Sequence, residues 1–241
     1  MKNPWELKVD EDRSSDSLKT IIIFCEDGEI EPSYFRLFDS SKIKLSIIVN
    51  CGDKHKQVDY ATNYCRDNDL LEVVNHAEKL KLDVGAQVWC VFDRDKEPND
   101  GLDSSFNNSI SVAKQIGFDV AWSNDDFELW ILIHFEDVPV NDPAYYHRSK
   151  YYERLTQILK ALIPNSSEQF KLVNNPRFDY YSSMKRRNRF LQITYQLMKG
   201  KIGDATARAV HLEQFHASQG YPYHQHCPCT LIHHLIKELT A

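Results

Sequence analysis

The sequence predicts an α/β fold: a mostly parallel, four-stranded sheet with helices on both faces, followed by an all-helical C-terminal region. Short apolar runs rich in β-branched residues alternate with helical periodicity through the first half of the chain. Two of those runs, "TIIIFCE" and "QVWCVFD", are apolar almost throughout, as strands covered on both faces are. After Phe135 only helical periodicity remains.

In chain order, residues 1–18 read as a polar, acidic tail that lacks the apolar stretch of a secretion signal. Thr20 to Glu26 is the first strand, and "PSYFRLFDS" a helix entered at Pro32, a residue suited to a first helical turn. Lys44 to Cys51 is the second strand. "DYATNYCRDNDLLEVVNHAEKL", 59–80, carries apolar residues at roughly helical spacing and predicts one helix. Gln87 to Asp93 is the third strand. "SSFNNSISVAKQIG" is a helix stopped by Gly117, Phe118 to Asn124 is the fourth strand, and "DFELWILIHF" opens another helix. The Pro-bearing "EDVPVNDP" is a linker. The α/β domain is thus expected over 19–137 and the helical region over 138–241. Four helices are expected in the latter: "SKYYERLTQILKALI", "YYSSMKRRNRFLQITYQLMK", "DATARAVHLEQFHA" and "TLIHHLIKELT", the last capped by Thr230 after Pro228.

The chain has 241 residues, 42% hydrophobic and 27% charged, which fits a packed protein rather than a disordered one. No apolar run nears the ~20 residues that span a bilayer, so no membrane partner is expected. The six cysteines form no disulfide framework, and Cys25, Cys51 and Cys90 fall in or at the ends of strand-like runs. A reducing cytoplasm is the expected compartment. Net charge is −6, but Arg177 to Lys201 holds seven Lys or Arg against one acid, Asp179. That segment carries +6 and the remainder −12, so an acidic chain has one region fit for a polyanion.

Open parallel sheets bind ligands beyond the carboxyl ends of their strands. Four acids fall there: Glu26 after the first strand, Asp93 and Asp95 at the end of the third, and Glu128 just after the fourth. Residues two apart in extended chain face one side, roughly 6–7 Å apart, so Asp93 and Asp95 can address one ion or two neighbouring ions. Crowded carboxylates take up protons unless a cation is present. Oxygen ligands without histidine or thiolate favour Mg²⁺ or Mn²⁺ over zinc, and such a site can activate water and clamp a phosphate. A phosphoryl-transfer receiver would want a further strand ending in Lys, and a phosphatase its Asp-x-Asp after the first strand. Neither pattern is present.

"IIIFCEDGEIEPSYF", "VWCVFDRD", "SNDDFELWILIHF" and "CPCTLIHHLIKEL" together resemble the RloB-like proteins, a TOPRIM-fold family associated with phage-defence and restriction loci. Cys25, Glu26, Glu31, Pro32, Tyr34 and Phe35 keep that family's register after the first strand. Asp27 replaces its Gly and Ile30 its Thr. At the C-terminus Pro228, Thr230, His233 and Leu235 match, and Cys227 stands for its Asn. The resemblance implies a TOPRIM site of Glu26, Asp93 and Asp95 holding Mg²⁺ for phosphodiester cleavage in DNA or RNA. Glu26 would act there as general acid or base or as a further ligand, Glu128 as a further ligand, and Glu31 and His233 as auxiliary residues. It also implies an ABC-type ATPase companion, hence the alternative of a non-catalytic or ATPase-gated subunit.

Two clusters remain. "KRRNR", Lys185 to Arg189, lies beside Tyr180, Tyr181 and Phe190; Lys185, Arg186, Arg187 and Arg189 are candidate nucleic-acid contacts, with a solvated helix face as the plain reading. "HQHCPC" invites zinc, but four ligands within six consecutive residues are cramped for a tetrahedral site. Arg94 should point away from its neighbouring aspartates in a regular strand.

Overall fold

The computed structural model describes residues 19–49, 56–95 and 103–241; the tail at 1–18 and Cys51 lie outside them. The strands are β1 (Lys19–Cys25), β2 (Ile43–Val49), β3 (Leu71–Val74), β4 (Ala77–Leu80), β5 (Ala86–Asp93), β6 (Asp119–Asn124) and β7 (Cys229–Thr230). Five of them form a sheet in the order β2-β1-β5-β6-β7, and β3 pairs with β4 alone. β1 runs parallel to both β2 and β5, and β7 antiparallel to β6. The sheet is therefore mixed but mostly parallel. It has one strand more than expected, because Cys229 and Thr230, read as the approach to a helix, pair with Asn124 and Ser123.

The helices are α1 (Ile30–Phe35), α2 (Gln57–Asp67), α3 (Asp103–Ile116), α4 (Glu128–Leu132), α5 (Arg148–Leu162), α6 (Phe170–Val173), α7 (Tyr180–Met184), α8 (Arg187–Arg189), α9 (Tyr195–Met198), α10 (Ile202–Ala217) and α11 (Ile232–Thr240). None of the described helices is long and apolar enough to cross a membrane. Packing divides the chain into two compact units. Of the described residues, one comprises 19–49, 56–92, 104–121 and 234–241, the other 93–95, 103 and 122–233.

In the first unit, Ile21 to Cys25 are fully buried, which explains why β1 reads as an unbroken apolar run. Each such aliphatic side chain contributes roughly 1.5–3 kcal/mol on burial. The helix expected over 59–80 ends at Asp67, and its second half is a hairpin. Asn75 and His76 both take positive φ, 50° and 65°, the left-handed pair that a two-residue hairpin turn requires. The β-branched Val73 and Val74 flank that turn. The apolar spacing there belonged to a strand rather than to a helical face. Gly117, at φ +105°, ends α3 as its sequence position predicts, with the Gly117 and Phe118 N–H groups both donating to the Ala113 carbonyl. The Glu238 carboxylate accepts from Lys19 and, at 2.8 Å, from Gln87, fastening α11 to β1 and β5.

In the second unit, α4 is buried on every side, so its apolar run needs no solvent face. Thr230 shares a 3.0 Å hydrogen bond with Ser123, and the Leu231 N–H donates to the Trp122 carbonyl. Its hydroxyl meets the Ile232 N–H at 3.4 Å, so the expected cap survives in weakened form inside β7. The single helix expected over Tyr180–Lys199 is broken. α7 ends at Met184, Lys185 leaves helical geometry, Arg186 is extended, and a π-helical turn over Phe190–Thr194 joins α8 to α9. No Gly or Pro marks this break.

Candidate functional site

β5 carries Asp93 to the rim of the sheet, where its Oδ2 accepts the Phe127 N–H at 3.0 Å. The next two N–H groups reach the segment after β6: Arg94 donates to the Ser123 carbonyl at 2.8 Å and Asp95 to the Asp125 carbonyl at 3.0 Å. Asp95 has φ +49°. Asp tolerates this left-handed conformation better than most residues, and it ends the strand pleat. The expected same-face relation of Asp93 and Asp95 therefore does not hold, because the backbone turns between them.

The segment opposite brings three more acids into this unit. Asp125 is 0% exposed, Asp126 3% and Glu128 1%. Two cations from the following helices face them. Arg148, opening α5, pairs with Asp95 through its guanidinium, while its backbone N–H donates to Asp125 Oδ2 at 3.0 Å. The Lys185 ammonium lies 3.2 Å from Glu128 and 3.4 Å from Asp126. Tyr152 stands four residues after Arg148, on the same face of α5. Its hydroxyl donates to Asp126, and Lys185 lies 5.2 Å from its ring centroid.

Five carboxylates thus meet two fixed cations in a largely buried space. Burial pushes the Glu128 carboxyl well above the usual range, and the neighbouring Asp126 charge pushes it further. Burial acts the same way on Asp126, but the Lys185 charge, the Tyr152 hydroxyl and the Arg148 charge oppose it, and that carboxyl stays low. Burial alone would lower the Lys185 ammonium, yet the charges of Glu128 and Asp126 raise it. For Arg148 the opposing charges are Asp95 and Asp125.

An all-oxygen donor set with surplus negative charge fits a hard divalent cation. Lys185 lies against Glu128 off the line of a hydrogen bond, so neither buried oxygen of that carboxylate is satisfied by one. Asp93, Asp95, Asp126 and Glu128 are the acids that Arg148 and Lys185 draw into one neighbourhood.

A protein-family model described as RloB-like protein matches residues 21–239. The chain belongs to the RloB-like family. No curated protein and no solved structure matches it.

Of the residues expected from the RloB-like resemblance, Asp93, Asp95 and Glu128 sit together in the second unit. Glu26 belongs to the first, directly after β1, whose last residue Cys25 pairs with Val91. Its backbone N–H donates to Glu31 Oε2 at 3.1 Å, and the Asp27 N–H joins the same oxygen at 3.2 Å. Asp27 accepts the Glu29 N–H at 3.0 Å and the Ile30 N–H at 2.7 Å, closing the turn ahead of α1. Glu31, 1% exposed, therefore shapes the turn that presents Glu26. His233 is buried, with Nε2 3.0 Å from Glu213.

The basic segment divides. Lys185 turns into the acids, Arg186 and Arg187 are exposed, and Arg189 donates to the Ser183 carbonyl at 3.0 Å. Arg94 is 3% exposed and paired with Asp103, so it anchors the strand end. Cys227 and Cys229 are buried thiols outside any disulfide, and burial raises the latter well above the ordinary range. Sequence reasoning missed Asp125, Asp126, Arg148 and Tyr152. The first two had a signal, a pair of acids ahead of an apolar run. The i, i+4 spacing of the others is too common on helices to stand out.

Proposed function

We propose that this RloB-like chain is a TOPRIM-type, Mg²⁺- or Mn²⁺-dependent nuclease that cleaves phosphodiester bonds, acting in phage defence in the cytoplasm. The observation that supports it most is the excess of carboxylate over cation around Asp93, Asp95, Asp126 and Glu128. The family resemblance adds Glu26 as a further ligand or general acid–base. A divalent ion there would activate water and offset the charge that develops on the scissile phosphate. Arg148 orients Asp95 and Asp125, Lys185 orients Asp126 and Glu128, and the buried setting strengthens each electrostatic contact.

Incubating the full chain with DNA and RNA in Mg²⁺ or Mn²⁺ tests this. The wild type should cut and chelator should stop it. Asp93→Asn and Glu26→Gln should each lose about a hundred-fold or more, since even outer partners of metal ligands cost 10–100-fold. Full activity in either variant sinks the reading.

A second reading is a subunit gated by an ABC-type ATPase. Arg148 and Lys185 hold the acids that an ion would need, so the isolated chain would be idle until a partner shifts them. Cleavage that requires the co-purified ATPase supports this; brisk cleavage by the chain alone removes it.

A further inference from the structure

We propose that the surface around Tyr181 binds an unpaired nucleic-acid strand, stacking one base on the Tyr181 ring while the backbone crosses Arg186 and Arg187. This rests on the acid site being a phosphodiester site, and it names the form of substrate that site would take.

α7 places two tyrosines in opposite settings. Tyr180 is 0% exposed, whereas Tyr181 is 60% exposed. Leaving that much aromatic surface in water forgoes a burial gain that its neighbour takes. The ring is nevertheless held. Tyr152 lies 5.2 Å away, centroid to centroid, at an interplanar angle of 39°, and the Lys185 ammonium lies 5.8 Å from its centroid. Asp179 fixes the helix below by accepting the Ser182 N–H at 2.9 Å. A ring held by such contacts and still 60% exposed loses little entropy when a base stacks on it.

The charge next to the ring is of the right sign. Arg186 and Arg187 follow directly and are exposed, at the break where Lys185 turns inward. Lys185 itself touches Tyr181, Tyr152, Asp126 and Glu128, so one side chain links the stacking ring to the acids. A base on Tyr181 would therefore sit about one side chain from the carboxylates. Bases within a duplex have both faces covered by their neighbours, so only an unpaired base can use this ring.

Fluorescence anisotropy of the full chain in EDTA decides it, with fluorescein-labelled oligothymidine, oligouridine and a duplex of equal length as probes. At least one single strand should bind more tightly than the duplex, and the preferred one tells DNA from RNA. Tyr181→Ala should weaken single-strand binding about ten-fold, within what loss of one stacked base costs, without changing the salt dependence. Tyr181→Trp should keep the affinity. Arg186→Ala with Arg187→Ala should instead flatten the salt dependence. Equal or tighter duplex binding, unchanged binding by Tyr181→Ala, or no binding to either single strand overturns the proposal. Binding through Tyr181 without any cleavage in Mg²⁺ leaves the stacking surface standing and removes a nuclease that acts without a partner. Cleavage that is indifferent to Tyr181→Ala does the reverse.

Discussion

The Lys185 ammonium lies 3.2 Å from the Glu128 carboxylate, joining the first residue of a basic run to an acid that is 1% exposed. That contact accounts for the broken helix at 185–186. Lys185 must leave the helical path to reach inward, and the arginines after it stay on the surface. The cation also stabilises the acids where no divalent ion does so.

Lys185→Met should therefore strip Asp126 and Glu128 of the cation that lies 3.4 Å and 3.2 Å from them. Removing one partner of a buried ion pair costs about 3–5 kcal/mol, and the partial exposure of Lys185 points to the lower end. Urea denaturation in chelator measures it. The cost should shrink in a Glu128→Gln background, where less charge is left over. Additive losses would mean that the two side chains do not interact.

Divalent ions should raise Tm of the wild type, because anything that binds only the folded state stabilises it by mass action. Asp95→Asn should lose most of that rise. Arg148 remains hydrogen-bonded to Asp125 through its backbone, so α5 should stay in place and Tm without metal should change little. A Mg²⁺ shift equal to that of the wild type would place the ion elsewhere.

Much of the fold could be read from residue type alone. β1 and β5 announced themselves because strands buried on both faces must be apolar at nearly every position, and Gly117 because helix ends favour left-handed φ. The hairpin at 71–80 was hidden: "LEVVNHAEKL" has no Gly, and Asn75–His76 is an uncommon pair for its turn. β7 was hidden too, since two residues hold too little pattern. At the site, Asp93, Asp95 and Glu128 were visible as acids at strand ends. Asp125 and Asp126 looked like solvated loop residues until their burial was known. The fates of Lys185 and Arg186 differ by tertiary pairing, which no single-chain pattern encodes.

Glu31 offers a test of the turn before α1. Its Oε2 accepts two backbone N–H groups, those of Glu26 and Asp27. Glu31→Ala leaves both donors without this acceptor and should cost about 2–3 kcal/mol, since bonds to charged groups contribute about 1.5–3 each and water recovers part. If the turn positions Glu26 for chemistry, cleavage should fall more than stability explains, and Glu31→Gln, which retains an acceptor oxygen, should restore most of it. Wild-type cleavage by Glu31→Ala would deny the turn any positioning role.

Acid sensitivity should trace in part to His134, at the end of the apolar run after α4. The ring is 2% exposed and its Nδ1 lies 2.8 Å from the Trp130 carbonyl. Burial lowers its pKa from 6.5 to about 4, against a smaller opposing effect of that hydrogen bond. In the unfolded chain the imidazole titrates near its ordinary value. Between these two values the unfolded state binds a proton that the folded state does not, so stability must fall as pH drops through this window. The full loss, reached below pH 4, is roughly 3 kcal/mol for a shift of this size. His134→Asn keeps an N–H donor for the Trp130 carbonyl but cannot titrate, so its stability should decline less steeply between pH 6.5 and 4. Urea midpoints measured across that range give the comparison. Parallel curves for the two proteins would show that His134 is protonated in the fold and that its burial carries no pH dependence.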